Sequence, residues 1–126
     1  MDYKSGGVIT LEMMPEFDLF LSQVLEFLNS WFPEEKYTHN IVQNYIKSGI
    51  ITRPVMGKKR GYKRMHIIQL IMLSYLRPVL SGDEIRDVFS LAFNEINEAD
   101  DDIITWEDAY TIFLDIREGM ENGKIP

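Results

Sequence analysis

The chain has no cysteine among its 126 residues. That excludes a disulfide framework, a cysteine-ligated zinc finger, a thiol nucleophile and a thiol redox switch. Only two histidines occur, His39 and His66, with no H-x-x-x-H spacing, so a zinc site lacks its ligands. Long apolar runs are missing too. The most apolar stretch, Ile67 to Leu76, is interrupted by Gln69 and Ser74 and flanked by Arg64 and Arg77. A membrane span needs about 20 apolar residues, so this stretch reads as a buried helix and no membrane partner is expected. Met1 to Gly7 is polar and lacks the pattern of a secretory signal, which makes the cytoplasm the expected compartment.

Catalytic motifs are equally scarce. Gly57-Lys58-Lys59-Arg60-Gly61 is not a phosphate-binding loop, because G-x-x-x-x-G-K-S/T is absent. No G-x-S-x-G elbow exists. Asn97 to Asp108 has an EF-hand flavour. However, Ala99 falls where an oxygen ligand is needed and Asp102 where a glycine is needed. Met13, Met14, Met56, Met65, Met72 and Met120 are scattered, as gap-filling side chains are. The chain reads as a non-enzyme with no cofactor and no metal.

What is present is an ordinary globular mixture, 45% apolar and 26% charged, long enough for one cored domain. Phe17, Leu21, Val24, Leu28 and Trp31 recur every three or four residues, predicting a helix opened by Pro15 and Asp18 and closed by Pro33. Thr38 reads as the N-cap of a short helix that Gly49 stops, with Ile41, Val42, Tyr45 and Ile46 inward. Residues 50–64 hold Pro54, Gly57 and Gly61 behind β-branched Ile50, Ile51, Thr52 and Val55, which predicts a loop or small β-ribbon, a wing. A helix from about Met65 to Arg77 ends before Pro78. Ser81-Gly82-Asp83-Glu84 is a capping box for a further helix with Ile85, Phe89, Ala92, Phe93 and Ile96 inward. An acidic connector, Asn97 to Asp102, precedes a last helix that begins at Thr105-Trp106 and frays near Gly119.

The net charge of −7 discourages nucleic acid only if it is read as an average. From Lys36 to Arg77 the chain holds nine basic residues and no acidic one; the rest holds four basic and twenty acidic residues. The short helix points His39, Asn40, Gln43, Asn44 and Lys47 away from its apolar side. Asn and Gln pair with adenine in bidentate fashion, and Lys reaches guanine or phosphate. The following wing carries Arg53, Lys58, Lys59, Arg60, Tyr62, Lys63 and Arg64. Helix, glycine turn and basic wing in this order read as a winged helix-turn-helix, with the wing on phosphates and the helix, from Thr38 on, in a major groove.

The segment Thr38 to Ile51 resembles the recognition helix of MerR-type regulators, through Tyr45, Gly49, Ile50, Ile51 and the following Pro54. Gly61-Tyr62-Lys63-Arg64 resembles that family's G-Y-R-R wing. Leu70, Leu73 and Leu80 to Arg86 resemble its later segments. From Met14 to Val88 the chain is similar to a family of short bacterial proteins with a MerR-like DNA-binding domain, whose opening Asp18 to Asn29 matches. Gln43-Asn44 stands where the MerR pattern has Arg-Tyr, and Lys63 and Met65 where it has Arg and Tyr.

The resemblance implies a mostly α fold. It would be a MerR-like winged helix-turn-helix with an extra N-terminal helix and two C-terminal helices, acting on a bacterial promoter as a sequence-specific transcriptional regulator. We expect residues 1–14 to be a mobile segment and 15–96 the DNA-binding domain. Residues 97–126 should pack on that domain or form a homodimer seam, since such regulators bind paired half-sites. The competing reading is an adaptor or antirepressor whose basic wing docks an acidic partner protein.

Overall fold

A helix that is apolar on every side belongs in the middle of a small protein. The segment Arg64–Leu76 is such a helix, and Ile67, Ile68, Leu70, Ile71 and Leu73 are all fully buried. The computed structural model describes residues 9–55, 57, 59–92 and 105–121. It places five α-helices in order: α1 Leu21–Trp31, α2 His39–Lys47, α3 Arg64–Leu76, α4 Gly82–Ala92 and α5 Trp106–Glu121, after a 3-10 turn at Leu11–Met13. The fold is mostly α. Helix α3 is central, with α1 and α5 packed on it and α2 packed on α1. No helix among the described residues is long and apolar enough to cross a membrane.

The starts of α2, α4 and α5 have local causes. Thr38 Oγ1 accepts the Ile41 N–H at 3.2 Å, and Thr105 Oγ1 accepts the Asp108 N–H at 3.0 Å. Ser81 and Glu84 form the reciprocal box, at 2.8 and 3.1 Å. These bonds hold the Glu84 carboxyl below its usual range. Helix α2 ends in a Schellman turn. Gly49 adopts φ +79°, its N–H donates to Ile46 C=O (3.1 Å), and the Ile50 N–H donates to Tyr45 C=O (3.0 Å).

Three expectations need correction. First, α1 begins at Leu21 rather than at Pro15–Asp18, and Phe17 is 67% exposed. The reason is non-local. Leu19 pairs with Tyr62 in an antiparallel bridge (2.8 and 3.2 Å), which holds residue 19 extended. Gln23 Oε1 then accepts the Phe20 N–H at 2.9 Å and starts the helix there. Second, the stretch 9–14, placed with a mobile segment, is docked. Ile9 and Met14 are buried, and the Tyr110 hydroxyl of α5 donates to Ile9 C=O at 2.6 Å. Third, α5 continues through Gly119 to Glu121. It packs on the domain through Trp106 against Phe89 (5.2 Å between rings) and Phe113 against Tyr75 (5.6 Å). Residues 1–8, Phe93, Ile96 and the connector Asn97 to Asp102 lie outside the described residues.

Tyr110→Phe keeps the ring and removes the hydroxyl that donates to Ile9 C=O. A buried carbonyl left without its donor costs about 1–3 kcal/mol. We expect an unfolding free energy lower by about that amount, seen as a lower urea midpoint, with faster amide exchange concentrated in residues 9–14; an unchanged midpoint would refute the role given to this bond.

Candidate functional site

The outer face of α2 is polar for a simple reason of period. With 3.6 residues per turn, Val42 and Ile46 bury on one side while Ile41 and Tyr45 flank them half-buried. His39, Asn40, Gln43, Asn44 and Lys47 are all exposed, as is the cap Thr38. This face contains no carboxylate. The helix is held at both ends. Ahead of it, Asn29 of α1 accepts the Tyr37 N–H at 2.7 Å and donates to Tyr37 C=O at 3.0 Å. The buried Tyr37 hydroxyl is hydrogen-bonded to the Ser74 hydroxyl of α3, and burial pushes the phenol up to about 12, so it stays protonated. Behind it, Arg86 of α4 donates to Ser48 C=O at 3.3 Å while pairing with Asp83 at 3.2 Å.

The wing leaves α2 at Ile50 and returns at Lys63. Its described residues form no β-ribbon. The Ile50 and Ile51 amides both donate to Tyr45 C=O, so they are not available for a ladder. The Val55 N–H donates to Gly61 C=O at 3.0 Å and closes the loop. Its feet are gripped from inside the core. The His66 Nδ1 accepts the Lys63 N–H at 2.8 Å, and its Nε2–H donates to Arg53 C=O at 3.2 Å. One neutral imidazole thus holds both feet, and these two bonds fix the tautomer. One turn further on, Gln69 Oε1 accepts the Thr52 N–H at 2.9 Å, and its Nε2 donates to Thr52 Oγ1 at 2.8 Å. His66, Gln69 and Thr52 are all buried.

The wing residues named from sequence divide by this geometry. Arg53, Lys59, Arg60 and Lys63 are exposed. Arg53, Lys59, Lys63 and, on α2, Lys47 make no ion pair among the described residues. The Arg60 guanidinium lies 4.8 Å from the centroid of the Phe20 ring, which draws the wing tip toward the start of α1. Tyr62 does not face solvent. It is a core residue at 5% exposure, bonded to Leu19 through its backbone and edge-on to His66 at 5.4 Å. Arg64 turns to the N-terminal stretch, 3.8 Å from Glu16 and 3.5 Å from Met14 C=O. Lys58 lies outside the described residues.

Sequence reasoning overlooked His66, Gln69 and Asn29 as the residues that set this geometry. The signal was available for the first two. They are the polar interruptions of an apolar helix, and a buried polar group demands a partner. Asn29 had no such signal, because its partner Tyr37 lies across a turn. Among the described residues no group of three or more histidine, aspartate or glutamate side chains is arranged to hold a metal ion. The arrangement offers an exposed, acid-free helix face and, next to it, a loop of unneutralised cations. That is chemistry for recognising an anionic surface.

A family model described as a domain of unknown function (DUF1836) matches residues 9–113. No curated protein and no solved structure matches the chain.

Burial pushes the His66 imidazole below its usual range, against the two backbone bonds and Asp18, which pull it up. Between the folded value and the unfolded value of about 6.5, the unfolded chain binds more protons. The stabilisation is therefore complete above about pH 6.5 and drains away as pH falls toward the folded value. We expect the urea midpoint to drop between about pH 7.5 and pH 5.5. His66→Gln keeps an acceptor for the Lys63 N–H and cannot titrate, so its midpoint should change less over that range. Equal pH slopes would refute the assignment.

Proposed function

The chain belongs to the DUF1836 family, and from that premise we propose that it is a sequence-specific DNA-binding transcriptional regulator of MerR-like, winged helix-turn-helix type. The observation that carries this reading is the outer face of α2. Five exposed amide, imidazole and ammonium side chains occur there with no acid among them, on a helix held rigid at both ends. Helix α2 enters the major groove, where Gln43 and Asn44 offer bidentate hydrogen bonding to adenine and Lys47 reaches guanine or phosphate. Arg53, Lys59, Arg60 and Lys63 meet the flanking phosphates and displace condensed counterions. Phosphate contacts set the register and α2 selects the sequence. Two copies bind paired half-sites as a homodimer in the cytoplasm. Tyr62 and Arg64 serve the core and the N-terminal stretch, so the wing's contribution comes from its cations.

The test is binding to a randomised duplex pool by fluorescence anisotropy across salt, followed by selection. We expect a steep log–log salt dependence and an enriched, two-fold symmetric motif. Gln43→Ala and Asn44→Ala should change the selected sequence while leaving the unfolding free energy from urea titration within about 0.5 kcal/mol, as for exposed positions. Lys59→Ala should weaken all duplexes alike and flatten the slope by about 0.9. No binding at low salt would overturn the proposal and leave the basic face as a docking surface for an acidic protein.

A further inference from the structure

Two side chains of α3 hold the wing, each with one accepted and one donated bond. Gln69 accepts the Thr52 N–H at Oε1 and donates from Nε2 to Thr52 Oγ1. His66 accepts the Lys63 N–H at Nδ1 and donates from Nε2 to Arg53 C=O. An amide keeps its acceptor at every pH. An imidazole loses it on taking up a proton, because both ring nitrogens then donate. The foot at Thr52 is therefore fastened by a group that does not titrate, and the return foot at Lys63 by one that does.

A proton on Nδ1 would set a second donor against the Lys63 N–H, whose nitrogen lies 2.8 Å away. His66 is 1% exposed, so water does not take over the lost bond in place. Two charged groups face the ring from the elements around it. Asp18, ahead of α1, favours the charged form and Lys63 opposes it. The Tyr62 ring lies edge-on at 5.4 Å, and burial pushes its phenol up, so it stays neutral. Burial of His66 outweighs Asp18, and the ring takes a proton more readily once it reaches water. Proton uptake thus favours every state in which the ring is released. The smallest such state frees Lys63, opens the neighbouring Leu19–Tyr62 pair and leaves the apolar body of α3 packed. We infer that His66 is a proton-sensitive latch: acid opens the return foot of the wing while Gln69 still holds Thr52, and the wing's cations lose their hold on phosphate. The loss of the phosphate contact rests on the proposed DNA-reading role; the latch itself does not. Its sign is opposite to that of a histidine lying on an anionic surface, where a proton adds attraction. His39, exposed on the outer face of α2, is of that second kind.

The latch is tested by amide exchange of the full chain in low urea, at about pH 7.5 and about pH 5.5, corrected for the intrinsic rate. A released imidazole, with its ordinary value of about 6.5, is mostly charged at the lower pH, which favours opening by up to about ten-fold. We expect the Lys63 N–H to exchange through an opening of small urea dependence, at lower protection than Thr52 and Ile71. That opening should become up to about ten-fold more frequent at the lower pH, and His66→Gln should abolish the increase. Lys63 exchange as steep in urea as that of Ile71 would mean that protons act only by unfolding the whole domain, and overturns the inference. A small opening insensitive to pH overturns it too. For the phosphate contact, anisotropy with a mixed-sequence duplex compares His39→Gln with His39→Gln/His66→Gln, so that the two chains differ only at His66. His39→Gln should lose up to about ten-fold in affinity at the lower pH relative to the double variant; equal pH dependence overturns the inference. A wild-type chain that binds no duplex at either pH overturns the regulator reading instead, and the exchange result, which needs no DNA, tells the two failures apart.

Discussion

The wing stands where it does because α3 holds its feet from inside the core. His66 and Gln69 make four hydrogen bonds to Thr52, Arg53 and Lys63, and every one engages a group at the root of the loop. Magnitudes explain why this clamp outranks the loop's own structure. A buried polar group left unpaired costs about 1–3 kcal/mol, whereas an exposed ion pair contributes about 0–1 kcal/mol. The bond between Val55 and Gly61 within the wing is too little to set a direction by itself. The tip leans on Phe20 through Arg60, but the root is what places the cations beside α2.

The same logic separates what the sequence made legible from what it did not. Helix limits set by residues one turn apart were readable: Thr38 with Ile41, Ser81 with Glu84, Thr105 with Asp108, and the Gly49 stop. The exposed face of α2 followed from the period of Val42 and Ile46. The start of α1 did not, because it depends on Leu19 pairing with Tyr62, far along the chain. Tyr62 looked like a wing aromatic for the same reason, since only that pairing shows that it is buried. The docking of Ile9 required the Tyr110 hydroxyl, nearly a whole chain away. Local chemistry is written locally; long-range pairing of single residues leaves no periodic mark.

Charge follows the architecture in a way the net value of −7 conceals. Exposed Asp108, Asp115 and Glu118 ride on α5, which packs on α3, while the cations cluster on α2 and the wing, with α1 and α3 between. Like charges gathered on one face repel, and screening over about 8 Å at physiological salt weakens the compensation that distant acids supply. A cation cluster left unpaired in the folded protein is a standing electrostatic cost. It becomes favourable when an anionic surface arrives.

Holding α2 at both ends completes this economy of design. Asn29 and Tyr37 fix the chain entering the helix, and Arg86 and the Schellman turn fix the chain leaving it. None of these residues lies on the exposed face, so that face is free to vary without weakening the supports. Ordering a mobile segment at the moment of binding consumes part of the interaction energy; a helix ordered beforehand avoids that loss. The supports come from α1, α3 and α4; the bonds from α1 and α3 are buried or half-buried, which shields them from salt more than the exposed Arg86–Ser48 contact or the surface cations. Salt therefore screens the exposed cations of the face while leaving the geometry of the face in place.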